Sequence, residues 1–196
     1  MQSKQNMKDF AISLLMNNLS EFYYYHNYCH TLYVIEKALE IGRHEECTEE
    51  ELELLSIAAL WHDTGYTKTY ANHEEESCLL ARQYLQEFGY SAADINIICG
   101  IIMATKIPQA PNTKLEEILA DADLEYLGTE LFEIKSDSLF RELQTMNSSL
   151  TKAKWDQMQI SFISKHKYFT RFCNENKEPV KQIYLRKLNN AILGLP

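Results

Sequence analysis

Apolar residues recur along the chain at intervals of three and four, the spacing of one helix face, and no segment alternates with a period of two. A first helix within residues 1–20 follows a polar start and carries Phe10, Leu14, Leu15 and Leu19. From about residue 26 to 41 the period returns, with His26, His30, Tyr33 or Val34, and Lys37 on one face; Gly42 and Arg43 should end it before a surface loop over 43–47. Thr48 with Glu51 is a capping box, and it opens a helix whose buried stripe runs Leu52, Leu55, Ala59 and on to His62. A Thr- and Tyr-rich loop over 64–72 precedes a helix over 73–88, closed by Gly89. Ser91 caps the next helix, through Ile95, Ile98, Ile101 and Ile102, until Pro108 and Pro111 break the chain. Further helices are expected over 114–127 (ended by Gly128), 129–146, 151–173 and 179–193. That over 151–173 has a stripe of Trp155, Met158, Phe162, His166 and Phe169. The pattern predicts an all-α fold.

With 196 residues and neither an internal repeat nor a low-complexity linker, a single domain over 1–196 is expected. A hydrophobic fraction of 45% with only 6 Gly and 4 Pro fits a helix-rich core. The net charge of −9 argues against a nucleic-acid backbone or an anionic membrane as partner. Cys29, Cys47, Cys78, Cys99 and Cys173 are odd in number and lack CxxC spacing, so reduced, mostly buried thiols are expected rather than disulfides. The stretch 10–19 is interrupted by Ser13, Asn17 and Asn18, unlike a signal peptide, and no apolar run is long enough to span a bilayer. A soluble, cytoplasmic protein is the expectation.

The chemistry concentrates at Trp61-His62-Asp63-Thr64-Gly65, where two polar side chains close an apolar helix. Adjacent helical residues point about 100° apart, so His62 and Asp63 reach one centre only where the helix ends. Gly65 is expected to supply a left-handed residue that stops it. His30, the His62-Asp63 pair and Asp123 each break an apolar face, and burying such groups unpaired costs several kcal/mol. One divalent cation shared by two imidazoles and two carboxylates relieves that cost. A nitrogen and oxygen donor set without thiolate suits Mg, Mn, Fe or Zn and leaves positions open for water. Such an ion lowers the pKa of water and polarises a phosphoryl oxygen, which makes hydrolysis the natural reaction.

Tyr25-His26-Asn27-Tyr28-Cys29-His30-Thr31, then His62-Asp63, then Asp121-Ala122-Asp123-Leu124-Glu125-Tyr126-Leu127-Gly128 resemble the HD superfamily of metal-dependent phosphohydrolases, in particular its small members. The resemblance is strong over 26–128 and weak over 155–193. It implies an HD-like helical bundle with a core over about 22–128 and C-terminal helices over about 129–196 packed on it. It also implies one divalent metal held by His30, His62, Asp63 and Asp123, with hydrolysis of a phosphate ester or anhydride in a nucleotide or small phosphorylated metabolite. Asp121 and Asp123 face about 200° apart on a helix and cannot both enter the centre; the family pattern selects Asp123, with Asp121 as fallback.

Between the His-Asp pair and Asp123 only His73 is available, and Ala104-Thr105-Lys106 lacks the histidine some relatives carry, so one metal is expected rather than two. Asp63, His73 and Glu74 are the catalytic candidates; His73-Glu74 is open between a general base, a substrate contact, a second-metal ligand and a first turn whose acids suit the helix dipole. His26, Asn27 and Lys106 are the substrate-binding candidates, His26 and Asn27 being open between orienting the ligands and simple packing. Lys68, Arg82 and Lys106 are phosphate contacts or solvated surface cations. His166 reads as a core histidine, His44 as exposed, and the Tyr23-Tyr24-Tyr25 run as packing from which one ring could line a pocket. The rival function is a regulatory module that binds metal or nucleotide without turnover.

Overall fold

The computed structural model describes residues 4–193, so residues 1–3 of the polar start lie outside it. Ten α-helices follow one another: α1 (Lys4–Asn18), α2 (Tyr28–His44), α3 (Glu49–Trp61), α4 (His73–Tyr84), α5 (Ala92–Met103), α6 (Lys114–Asp123), α7 (Phe132–Met146), α8 (Lys152–Lys165), α9 (Arg171–Asn176) and α10 (Glu178–Leu193). Short 3-10 turns at Thr64–Thr67, Leu85–Phe88 and Glu125–Gly128 follow α3, α4 and α6. Among the described residues there is no strand. The all-α expectation holds.

α3 is the central element: α2 and α5 lie along it, and α6 packs on α2, α3 and α5. Its sequence explains the position, because Leu55, Ala58, Ala59 and Trp61 are fully buried and its charges, Glu49, Glu50, Glu51 and Glu53, are confined to its N-terminal half. The capping box forms as expected, Thr48 Oγ1 accepting from the Glu51 amide and the Glu51 carboxylate from the Thr48 amide. Val34, Ala38 and Ile41 of α2, Ile98 and Ile102 of α5, and Ile118 and Leu119 of α6 complete this core. A second apolar cluster gathers Tyr25, Leu124, Tyr126, Leu127, Phe132 and Ile163 where α7 and α8 approach the end of α6. Lys181 of α10 is buried beneath it, donating to the His166 carbonyl at 2.8 Å and pairing with Glu178 at 2.7 Å. All five thiols are free; Cys78, Cys99 and Cys173 are buried and Cys29 is exposed. No described helix is long and apolar enough to cross a membrane.

Several boundaries differ from expectation for identifiable reasons. α2 begins at Tyr28, not 26, because the Asn27 side chain accepts from the amides of Cys29 and His30 and so closes the N-terminus. His26 therefore precedes the helix. Gly42 lies inside α2, which runs on to His44; a Cβ there would come within 2.8 Å of Leu52 Cδ2, so the glycine serves the α2–α3 contact. Gly65 has no left-handed backbone either. Its missing side chain lets α4 approach, since a Cβ would sit 2.0 Å from the His73 carbonyl oxygen. Gly89, at φ 92°, does close its helix in the left-handed region. The span 151–173 is two helices, broken at 166–170 because Asp121 of α6 takes the Phe169 and Thr170 amides and the Thr170 hydroxyl. Thr170 then caps α9. His166 consequently sits in the loop rather than on the α8 stripe, accepting from Lys181 Nζ through Nδ1 at 3.0 Å.

Candidate metal centre and its cavity

α3 ends at Trp61. His62 keeps helical angles (φ −57°, ψ −36°), while Asp63 departs from them (φ −104°, ψ 5°). That departure turns the two neighbouring side chains toward one point, as the helix-end argument requires. Ser77 of α4 secures the turn, donating to the His62 carbonyl at 2.6 Å and accepting from the Gly65 amide at 2.8 Å. The His62 ring is oriented by Nδ1–H donating to the Ala59 carbonyl at 2.7 Å, which turns Nε2 toward the carboxylates of Asp63 and Asp123.

His62 Nε2 lies 3.2 Å from Asp63 Oδ2 and 3.6 Å from Asp123 Oδ1. His30 Nε2, from α2, lies 3.0 Å from Asp123 Oδ1 and 3.5 Å from Asp63 Oδ2. Donor atoms from α2, the end of α3 and α6 thus gather, with Asp63 Oδ2 beside the two histidine nitrogens. His62 Nε2 and Asp63 Oδ2 are buried with no hydrogen-bond partner. Such atoms are costly unless something completes them. Among the described residues, His30, His62 and Asp123 satisfy the spacing of a metal-holding group, their ligand atoms all within 4.8 Å of one another, and Asp63 stands just outside that set. The donor set fits a divalent cation. Asp121 points elsewhere, into the 166–170 loop, as the 200° separation requires.

Electrostatics follow from this crowding. Burial disfavours charge on His62, yet Asp63 and Asp123 beside it outweigh burial and raise it well above the usual imidazole value. Against their own desolvation, the histidines hold Asp63 and Asp123 far below the usual carboxylate range. Burial lowers His30 and His73.

His73 opens α4 with Nε2 at 3.7 Å from Asp63 Oδ1 and 3.5 Å from Glu74 Oε1. Tyr66 stacks on the His73 ring at 3.9 Å and meets the His26 ring at a tilt, 4.4 Å between centroids, and the two imidazoles lie 6.3 Å apart. His26 is held by Glu142 of α7, a residue no sequence motif marks. Glu142 Oε1 pairs with His26 Nδ1, and Oε2 accepts from the Tyr25 and His26 amides at 2.8 and 3.0 Å. Burial opposes charge on His26, but Glu142 and the two aspartates raise its pKa. Asn27 spends its side chain on the α2 cap and on the Tyr23 and Tyr24 carbonyls. Lys106 lies on the surface, its ammonium taken by Glu75 and Asn72, and Arg82 is bonded to Asn96 at 2.6 Å. His44 stacks on Phe172 at the surface.

A cavity of about 300 Å³ opens onto this centre, with Asp63, Asp123, His26, His73 and Glu74 at one end. The sequence model of the HD domain family matches residues 27–125, which spans the three helices that supply these donors. The chain belongs to the HD domain family. A crystal structure at 1.45 Å, titled a predicted HD superfamily hydrolase from an uncultured Thermotogales bacterium, shares the HD fold with TM-score 0.57. It is 21% identical, and the match covers 80% of this chain and 87% of that one. No curated protein matches the sequence. In this HD domain the far wall of the cavity comes from outside the matched span, from α7 and α8. Trp155 and Phe162 of the predicted α8 stripe face that cavity, and Tyr25 is the ring of the tyrosine run that lines it.

Proposed function

We propose that His30, His62, Asp63 and Asp123 hold one divalent cation and that the protein is a metal-dependent hydrolase of phosphate esters or anhydrides in a nucleotide or small phosphorylated metabolite. The observation carrying this reading is the convergence of His30 Nε2, His62 Nε2 and Asp123 Oδ1 within 4.8 Å of one another, with the buried Asp63 Oδ2 beside them, at the end of a cavity. When bound, the cation supplies charge neutralisation at the phosphoryl group and a lowered pKa for water.

The chain's own residues supply the proton handling. His73 is kept neutral by burial, and its Nε2 accepts the proton of the attacking water, with Asp63 and Glu74 beside it to stabilise the imidazolium. His26, biased toward its protonated form by Glu142, has Nδ1 committed and leaves Nε2 to donate to the leaving oxygen. Tyr66 packs against both rings, whose centroids lie 6.3 Å apart. Two imidazoles with opposed pKa shifts, 6.3 Å apart and both packed on one tyrosine, form an acid–base pair.

Release of inorganic phosphate from a panel of phosphorylated compounds, with and without added Mg, Mn, Fe or Zn, tests the reading. Activity should require the ion and fall at least about 100-fold in Asp63→Asn and in His73→Asn. Tight, metal-dependent nucleotide binding with no release across the panel would replace hydrolysis by a regulatory role.

A further inference from the structure

The cavity wall facing the metal centre has a composition that restricts what can fill it. Beyond the polar end, the space between α7 and α8 is lined by Leu127, Leu139, Leu143, Trp155, Phe162 and Ile163. Among the described residues no lysine or arginine lines any part of the cavity, whereas three carboxylates do: Asp63, Glu74 and Asp123. The nearby cations are committed elsewhere. Lys135 lies over the Tyr33 ring at 4.8 Å, Arg141 over Tyr24 at 4.4 Å, and Lys106 on Glu75. One divalent cation would be neutralised by Asp63 and Asp123, and Glu74 would add a negative charge. A single phosphoryl group lying on the ion is tolerable there; a chain of phosphates is not, because beyond the His26 imidazolium, which Glu142 already balances, its further charges would meet no counter-ion.

The apolar lobe also lacks groups to read a sugar or a base. Its polar atoms are bonded to one another: Ser136 Oγ donates to Gln159 Oε1, Trp155 Nε1 donates to Ser136 Oγ at 3.3 Å, and Gln159 Nε2 donates to Asp156 at 3.4 Å. The other hydroxyls of the lining belong to Tyr25, Tyr66, Tyr70, Thr105 and Tyr126, of which Tyr66 and Tyr70 pack against His26 at the polar end, so a nucleoside seated in the lobe would strand most of its hydroxyl and amide groups.

We infer that the substrate is a phosphate monoester of an apolar alcohol, with its aliphatic or aromatic body seated between α7 and α8. This deepens the hydrolase reading and rests on it. Hydrolysis then breaks the P–O bond to the alcohol, water supplying the oxygen to phosphate and His26 the proton to the departing alkoxide. Leu139, Leu143, Trp155 and Phe162 are the residues that set specificity.

The test uses the metal-loaded full chain with ethyl, butyl and hexyl phosphate, a nucleoside 5′-monophosphate and a nucleoside 5′-triphosphate. Alongside it, binding of the corresponding n-alkyl phosphonates, which do not turn over, is measured by calorimetry. Each buried methylene should raise kcat/KM and phosphonate affinity roughly fourfold, about 250-fold over the four methylenes from ethyl to hexyl. The nucleoside triphosphate should be the poorest of the set. Leu143→Ala should flatten the chain-length dependence. Met158→Lys, at a half-exposed position on the same wall that tolerates change, should weaken hexyl phosphonate and favour the triphosphate by about tenfold relative to wild type. Phosphate release that ignores chain length, or that favours the nucleotide, overturns the substrate class while leaving the hydrolase intact. Phosphonate affinity that climbs with chain length while no ester is hydrolysed supports the apolar subsite and removes the hydrolase reading instead.

Discussion

Replacing Glu142 with alanine should separate the segment before α2 from α7, and its cost can be worked from the contacts. The carboxylate is fully buried and satisfies three donors: the Tyr25 amide, the His26 amide and His26 Nδ1. His26 is partly exposed and can turn to water, but the two amides are stranded at about 1–3 kcal/mol each, to which the space left by the side chain adds. A total of about 3–5 kcal/mol is expected, comparable to breaking a buried charge pair. Glu142→Gln keeps one oxygen for the amides but loses the carboxylate facing His26, and should cost about 1–2 kcal/mol. Urea unfolding followed by far-ultraviolet circular dichroism gives both values, with m unchanged if the transition stays two-state. The same variants should lower the His26 pKa, measured by histidine proton NMR. In the wild type that pKa is raised on folding, so its stabilisation is complete below the unfolded value and is lost as pH rises through the folded one. Glu142→Gln should remove that loss. An alanine variant with an unchanged urea midpoint would show that Glu142 does not hold the segment.

Asp121 and Asp123 should fail in different ways: Asp123→Ala should lose bound metal and keep most of its stability, whereas Asp121→Ala should keep the metal and lose about 2–4 kcal/mol through the freed Phe169 and Thr170 amides. Metal analysis and urea titration of the two variants read this directly, and equal metal content would place the ligand wrongly. His166 should make the C-terminal region acid-sensitive. Burial and Lys181 lower it to about 4, below its unfolded value near 6.5, so the unfolded chain gains a proton first. Stability is then full above pH 6.5 and declines by up to about 3 kcal/mol as pH falls toward 4. His166→Asn, which retains an acceptor for Lys181, should flatten that slope in urea midpoints taken from pH 7 to 4.5.

What the sequence revealed was mostly local. The Thr48 box, the Gly89 stop and the need for a helix to end at His62-Asp63 are each settled within a few residues, and each appears where expected. His30 and Asp123 came from a motif and do converge with His62. The misses are tertiary. Glu142 reaches Tyr25 across 117 residues, and no spacing rule links them. The break in 151–173 is imposed by Asp121, 48 residues earlier, against an apolar period that by itself continues the helix. Gly42 and Gly65 read as stops because a glycine needed for close packing and one needed for a left-handed turn look alike in sequence. Of the expected stripe over 151–173, Trp155, Met158 and Phe162 do lie on α8, but period alone could not tell a face turned to a core from one turned to a cavity.

The central claim is that one cation belongs at the point faced by His62 Nε2, His30 Nε2, Asp63 Oδ2 and Asp123 Oδ1. Anomalous diffraction from crystals grown with Mn, collected on both sides of the metal edge, locates it directly. The account predicts one strong peak among those four atoms, absent from Asp123→Ala crystals of the same form. A peak at Asp121, or no peak among the four atoms while the protein releases phosphate, would contradict it.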